Sequence, residues 1–426
     1  MKKPNFLLGN CLGLVAATML LANACQLPSS VGSTASQKSN WLNGRGDPQN
    51  TGRSATAGLA RSAAIGKTLT ANLAWTYTGG GSGANSFPVI DSEGTIYFAA
   101  SDGTIRAVLP NGTEKWNVPK QHFGLVPPVV GPDGRLYGGD FQDFFYCFDP
   151  KDGKILWSVD FGQPSSGFVN APIILPNGMM YVLSWDGNLY CIDPNGKQQW
   201  AFNSSYSFQG TPSVSTDGTV YVMSNKLYGI NGLNGQKLWD FAPPNLGVLP
   251  WFFESTPVIG SDGTIYVIGY CRPFIGNALY LFAVNTNGVE KWRYQLTDGT
   301  SFISDGQRTM PALQSDGTLI VAVSGNQTVV AINPDGTKKA ELALSDPLAP
   351  NASPSIDALG RIYITLRYGF TCVKEDLTTQ IWSKLVTDGN NGIFFQSSPS
   401  LGSDAVYITS QDGNYSGELY AVPLGQ

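Results

Sequence analysis

A chain of 426 residues is long enough for two or three average domains, or for one large closed all-β domain. Only 13% of it is charged, the formal net charge is −5, and no cluster of Lys and Arg is present, which excludes an electrostatic role on nucleic acid or an anionic membrane. His122 is the only histidine, which nearly removes Ser-His-Asp and Cys-His chemistry and zinc sites built on several imidazoles.

The N-terminus reads as a targeting segment over residues 1–24. Lys2 and Lys3 form a positive start, Phe6 to Leu21 is mostly apolar, and Ala22-Asn23-Ala24-Cys25 follows. The apolar stretch is short for a membrane span, which needs about 20 residues. Leu-Leu-Ala-Asn-Ala-Cys resembles a bacterial lipobox, in which Cys25 carries the lipid and becomes the mature N-terminus. The other reading is cleavage after Ala24 at an A-x-A site. A Cys directly behind the apolar run favours lipidation. Residues 25–40 then form a polar tether, and 41–426 the folded domain.

Within that domain a Pro recurs at positions 88, 128, 172, 212, 257, 311, 354 and 399, a spacing of propeller-blade length. In the first unit an apolar strand A follows Pro88. The turn Asp91–Gly94 leads to strand B, Ser101-Asp102-Gly103 leads to strand C, and Pro110-Asn111-Gly112 leads to strand D with Trp116. Asp-Gly and Asn-Gly supply the positive φ that tight hairpins need. Two rows fix the register. Strand C carries Ala107, Cys147, Cys191, Gly229, Ala283, Ala331, Cys372 and Ala421, all small. Nine or ten residues later stand Trp116, Trp157, Trp200, Trp239, Trp292, Ala340 and Trp382, so only the sixth unit lacks the indole. The eighth unit ends before its own strand D, and residues 73–77 supply the missing one. The predicted fold is an all-β, eight-bladed β-propeller of four-stranded antiparallel blades, its last blade closed by the N-terminal strand.

The units resemble the PQQ-type (quinoprotein-like) propeller repeat. Leu189-Tyr-Cys-Ile-Asp-Pro-Asn-Gly-Lys-Gln-Gln-Trp200 and Phe145-Tyr-Cys-Phe-Asp-Pro-Lys-Asp-Gly-Lys-Ile-Leu-Trp157 carry the likeness, and Trp41–Gly52 looks like the lead-in common in that superfamily. Among lipid-anchored members the architecture is similar to the propeller subunit of the outer-membrane barrel-assembly machinery. The superfamily holds both enzymes and binding scaffolds. For the enzymes, the resemblance implies a vicinal Cys-Cys ring over the cofactor, a Ca²⁺ held by carboxylate and amide, and an Asp base. No Cys-Cys pair exists here, and most Asp and Asn sit in hairpin turns. The expectation is a non-catalytic envelope scaffold without a cofactor. The alternative is a periplasmic oxidoreductase using PQQ with Ca²⁺.

Cys147, Cys191 and Cys372 read as small core residues, whereas Cys271 falls in an insertion. Arg45-Gly46-Asp47 spells an integrin tripeptide inside the lead-in, which reads as coincidence. The A–B and C–D turns are short, while the long connections are of the B–C and D–A kind and therefore share one face. On that face the sequence places the candidate binding residues Trp185, Trp251, Phe252, Phe253, Glu254, Arg272, Phe274 and Arg308, those from Trp251 onward bracketing blade 5, and Arg367 and Tyr368 in the B–C turn of the seventh unit. Aromatic anchors flanked by charge suit a protein, peptide or glycan partner in the cell envelope.

Overall fold

Each repeat unit forms one antiparallel sheet, because its turns are too short for any connection but a hairpin. The computed structural model describes residues 45–47, 49–54, 73–78, 87–100, 102–118, 126–162, 167–168, 170–244, 253, 255–271, 278–297, 309–386, 394–395, 397–411 and 418–423. In blade 1 the strands are A, Val89–Ile90; B, Ile96–Ala99; C, Ile105–Val108; and D, Glu114–Val118, hydrogen-bonded in that order. Blades 2 to 7 repeat this order. Blade 8 joins Ser400–Leu401, Ala405–Gln411 and Glu418–Pro423 to the N-terminal strand Trp75–Thr78, with Trp75 opposite Ala421. The eight-bladed ring and its closure by the N-terminal strand are as the sequence predicts. An additional strand, Phe394–Phe395, pairs with Ser410 and Gln411. In blades 5 and 8 strand B runs on to Cys271 and Gln411, so those B–C connections are shorter than the sequence suggests.

The core lies between blades, in clusters that each join neighbouring sheets. The register explains the small row. In blade 3, Cys191 stands opposite Tyr181 on one side and Trp200 on the other. The two rings close over it at 5.7 Å between centroids. The same Tyr–small–Trp triplet recurs with Ala107 between Tyr97 and Trp116, and with Gly229 between Tyr221 and Trp239. A methyl group added at Gly229 would come within 2.5 Å of the Trp239 ring. The row is therefore small because rings of the same blade cover it, and the demand comes from cross-strand packing rather than from the neighbouring sheet. Cys147, Cys191 and Cys372 are buried, and burial pushes Cys147 up to about 11 and Cys372 up to about 12.

The indole also ties each of blades 1 to 5 to the next. Trp116 donates its N–H to Pro150 O at 2.9 Å, Trp200 to Gly232 O at 3.1 Å, Trp239 to Thr286 O at 2.8 Å and Trp292 to Pro334 O at 2.9 Å. Trp157 keeps the ring contact without the bond. Each ring lies under a C–D turn whose glycine has positive φ. At Gly336, φ 89°, a side chain would meet the Trp292 ring at 2.7 Å.

The seam between blades 6 and 7 inverts this arrangement. Strand D of blade 6 has Ala340 opposite Ala331, and strand B has Ile320 where other blades have Tyr. In the C–D turn of blade 7 the glycine position is Leu377, which adopts φ 59° and is 3% exposed. Its amide donates to Lys374 O at 3.0 Å, as that of Gly336 does to Asn333 O at 2.9 Å. Leu377 packs into the cluster that holds Ile320, Ala331 and Ala340. A ring below and a glycine above have been exchanged for a methyl below and a leucine above.

Residues 45–47 and 49–54 lie along the inner strands of blades 4 to 7, on the side of the ring axis. The amides of Ile259, Leu313 and Ile356 donate to Gln49 O, Thr51 O and Gly52 O at 3.0, 2.9 and 2.8 Å. Asn50 Nδ2 reaches Pro212 O and Ser213 Oγ, and Gln49 Nε2 reaches Val214 O. Arg45 is 2% exposed, and its guanidinium donates to Pro354 O at 2.8 Å and Pro311 O at 2.9 Å. Burial lowers it to about 10 while Asp47 pulls the other way, so it stays charged at neutral pH. Gly52, φ 67°, must be Gly, since a side chain there would lie 2.3 Å from that guanidinium. The segment satisfies inner-edge amides that have no strand beyond them. The Arg-Gly-Asp tripeptide is thus a structural plug, its cation spent on backbone carbonyls.

Candidate binding face

Strand A runs from the D–A connection to the A–B turn, so the B–C and D–A connections share one face of the ring. Two places on it carry exposed rings. In blade 2 the B–C turn is built on Asp140, fully buried, whose carboxylate accepts from the amides of Gln142 at 2.8 Å and Phe144 at 3.0 Å and from Tyr146 Oη at 2.8 Å. Burial and that carboxylate push the Tyr146 phenol well up, so it stays a donor. Asp143, at φ 66° and buried, accepts from Ser184 Oγ of the next B–C turn at 3.3 Å. Phe168 donates its amide to Asp140 O, and Trp185 its amide to Gly167 O, so one D–A segment ties the two turns together. Burial and the Asp186 charge push Tyr190, beneath the second turn, up to about 12.

On these fixed turns Phe141 and Trp185 project outward, 42% and 46% exposed. Their rings are stacked 5.6 Å apart with planes 7° from parallel. Tyr206, 58% exposed, lies alongside, since Ser207 Oγ donates to Trp185 O at 2.8 Å. Among the described residues these three are the exposed large aromatics, and all stand on this face. The exposed aliphatics are scattered over outer strands and the opposite turns, as Leu238, Leu233, Val289 and Leu359 are.

Across the ring, the B–C turn of blade 7 presents Arg367 and Tyr368. The Arg367 guanidinium carbon is 5.1 Å from the Phe394 ring centre and 5.7 Å from that of Tyr368, and the two rings are 6.1 Å apart. Backbone bonds hold the group. Arg367 N donates to Pro347 O at 2.6 Å, Phe395 N to Arg367 O at 3.0 Å, and Val386 N to Tyr368 O at 3.0 Å.

Of the residues singled out from sequence, Trp185, Arg367 and Tyr368 lie on this face, at two separate places. Phe253 does not. It is 1% exposed and packs edge-on against Phe282 in the cluster between blades 4 and 5, because an apolar gap there takes the ring. Trp251, Phe252, Glu254, Arg272, Phe274 and Arg308 lie outside the described residues, as does Cys25. Sequence reasoning missed Phe141, Tyr206 and Phe394. For Phe141 a signal existed, since it occupies the same slot of its B–C turn as Trp185.

A family model described as outer membrane protein assembly factor BamB matches residues 101–275 and again 186–425. No curated protein matches the chain. Among solved structures, BamB from Moraxella catarrhalis aligns at TM-score 0.60 and 15% identity, covering 83% of this chain and 100% of its own. A quinohemoprotein alcohol dehydrogenase from Comamonas testosteroni aligns at 0.66 and 12%, covering 92% and 82%. A europium-containing methanol dehydrogenase aligns at 0.65 and 12%, covering 91% and 98%. At these identities the structures share the fold alone. A quinone with Ca²⁺ needs converging carboxylates. Among the described residues no group of three or more His, Cys, Asp or Glu is placed to hold a metal ion, and Gln49, Thr51 and Gly52 bond the inner edge of blades 5 to 7. The described residues supply no such cradle.

Proposed function

This chain belongs to the family described as outer membrane protein assembly factor BamB, and on that premise we propose that it is an exported, lipid-tethered, non-catalytic scaffold of a bacterial envelope that binds a protein partner through its B–C/D–A face. One observation carries the choice of face: Phe141, Trp185 and Tyr206 stand exposed together on it, on turns whose buried polar groups are hydrogen-bonded. Exposed aromatics on a rigid frame are the usual anchors of protein interfaces. The family match favours a protein partner over a glycan.

Two variants test this reading. Phe141→Ala with Trp185→Ala removes only exposed rings, so the fold is retained and protein captured from envelope extract falls by about tenfold, a loss of roughly 1.4 kcal/mol. Unchanged capture, or recovery of polysaccharide in place of protein, overturns the reading. Lipidation at Cys25 is supported by the apolar run that precedes it. Cys25→Ala moves the protein from the membrane to the soluble fraction, and a variant that stays in the membrane contradicts the tether.

A further inference from the structure

We propose that Arg367 is a preorganised receptor for a carboxylate of the protein partner. The inference rests on the binding-face reading above and names the chemistry of its second contact. Arg367 is exposed, yet its guanidinium is flanked by the rings of Tyr368 and Phe394. Among the described residues no carboxylate lies within ion-pair distance of it, whereas other arginines on the ring, such as Arg106, Arg293 and Arg361, each have an acid partner. Contact with two rings restricts the guanidinium and leaves its N–H groups for a ligand. A planar donor edge matches a carboxylate in a two-bond arrangement, and ring-held arginine loses little side-chain freedom when it binds.

The same strand that brings Phe394 to the guanidinium buries Phe395 in the core between blades 7 and 8, which anchors it. Phe394–Phe395 is the one strand that the sheet order adds to the four of its blade, and its pairing with Gln411 sets Phe394 beside the guanidinium. The Arg367–Tyr368 turn is a two-residue hairpin, with Leu366 opposite Gly369, which fixes the backbone that carries both side chains. Among the described residues the turns around Phe141 and Trp185 carry Asp160 and Asp186, and the nearby Lys226 is engaged with Asp240. Among the described residues the two places differ in charge, with Asp160 and Asp186 at blades 2 and 3 and Arg367 at blade 7. A partner that spans the face presents a carboxylate to blade 7.

The test follows the Arg367 Nε–H resonance of the full chain, labelled with ¹⁵N-arginine and assigned as the signal lost in Arg367→Lys. The probe is N-acetylglutamate α-amide, with its side-chain methyl ester and inorganic phosphate as separate arms. The resonance is expected to move in a saturable manner with the acid and to stay put with the ester. Phe394→Leu, which removes one flanking ring, weakens the response several-fold, and Arg367→Lys weakens partner capture by about tenfold despite its retained charge. No shift with the acid, an equal shift with the ester, or a larger one with phosphate overturns the inference. If the acid moves Arg367 but the Phe141/Trp185 variant captures its partner normally, the reading of those two rings as anchors falls and the receptor stands. If capture depends on the two rings and the acid does nothing, only the receptor falls.

Discussion

A chain lacking residues 41–80 is expected to be insoluble. That deletion removes strand Trp75–Thr78, which makes four cross-strand pairs with Glu418–Ala421, and so bares the outer edge of blade 8. It also removes the lock between blades 8 and 1. Trp75 donates to Pro110 O at 2.7 Å and its ring lies under Gly112, while Tyr77 bonds Glu114 and accepts from Arg106 at 2.9 Å. Loss of the plug further leaves the Ile259, Leu313 and Ile356 amides without partners. A buried orphan group costs about 1–3 kcal/mol and loss of a large aromatic contact about 3–5, so the sum rivals the whole stability of a typical domain, roughly 5–15 kcal/mol. Solubility of the purified deletion variant and its thermal melt check this. A soluble variant that melts with the parent contradicts closure by the N-terminal segment.

The second large effect is expected at the seam between blades 6 and 7. Ala340→Trp alone forces an indole against Leu377 and destabilises by about 1–3 kcal/mol. Leu377→Gly alone relieves a left-handed leucine but empties its buried site, for a net loss of roughly 1–4 kcal/mol. Together they rebuild the arrangement of the other seams, so the double variant is more stable than the sum of the singles implies, with a coupling of roughly 2–3 kcal/mol. Denaturant unfolding of the four proteins measures it. Additive losses would show that Ala340 and Leu377 do not occupy one shared space.

Much of this ring is legible in sequence. The recurring Pro, the small row in strand C and the indole row in strand D are local, phase-locked signals, and they gave eight blades and the strand that closes them. The reason for the small row was less legible, because it lies in a cross-strand relation among Tyr181, Cys191 and Trp200 that appears only when three strands are aligned. The exchange at Ala340 and Leu377 leaves two traces in sequence, a missing Trp and a missing Gly, but only contact makes them one event. The plug shows in sequence only as the lead-in Trp41–Gly52, with nothing to say what it bonds. Arg45 bonds carbonyls 266 and 309 residues away, and a backbone acceptor carries no residue identity to read. On the binding face, Trp185 stood out because a tryptophan outside the indole row is rare, whereas Phe141 and Tyr206 are ordinary residues in short turns. Phe253 misled for the opposite reason, since an aromatic run in a loop looks exposed until a gap between two blades is seen to take one of its rings.

Hydroxyl-radical footprinting of the protein, free and in the complex isolated from its own membrane, tests the central claim most directly. The free protein is expected to oxidise at Phe141, Trp185 and Tyr206 and also at Leu233, Val289 and Leu359. In the complex the three aromatics become protected and the three aliphatics of the opposite turns stay reactive. Protection of Leu233, Val289 and Leu359 with the aromatics still open would place the partner on the wrong face and contradict the account.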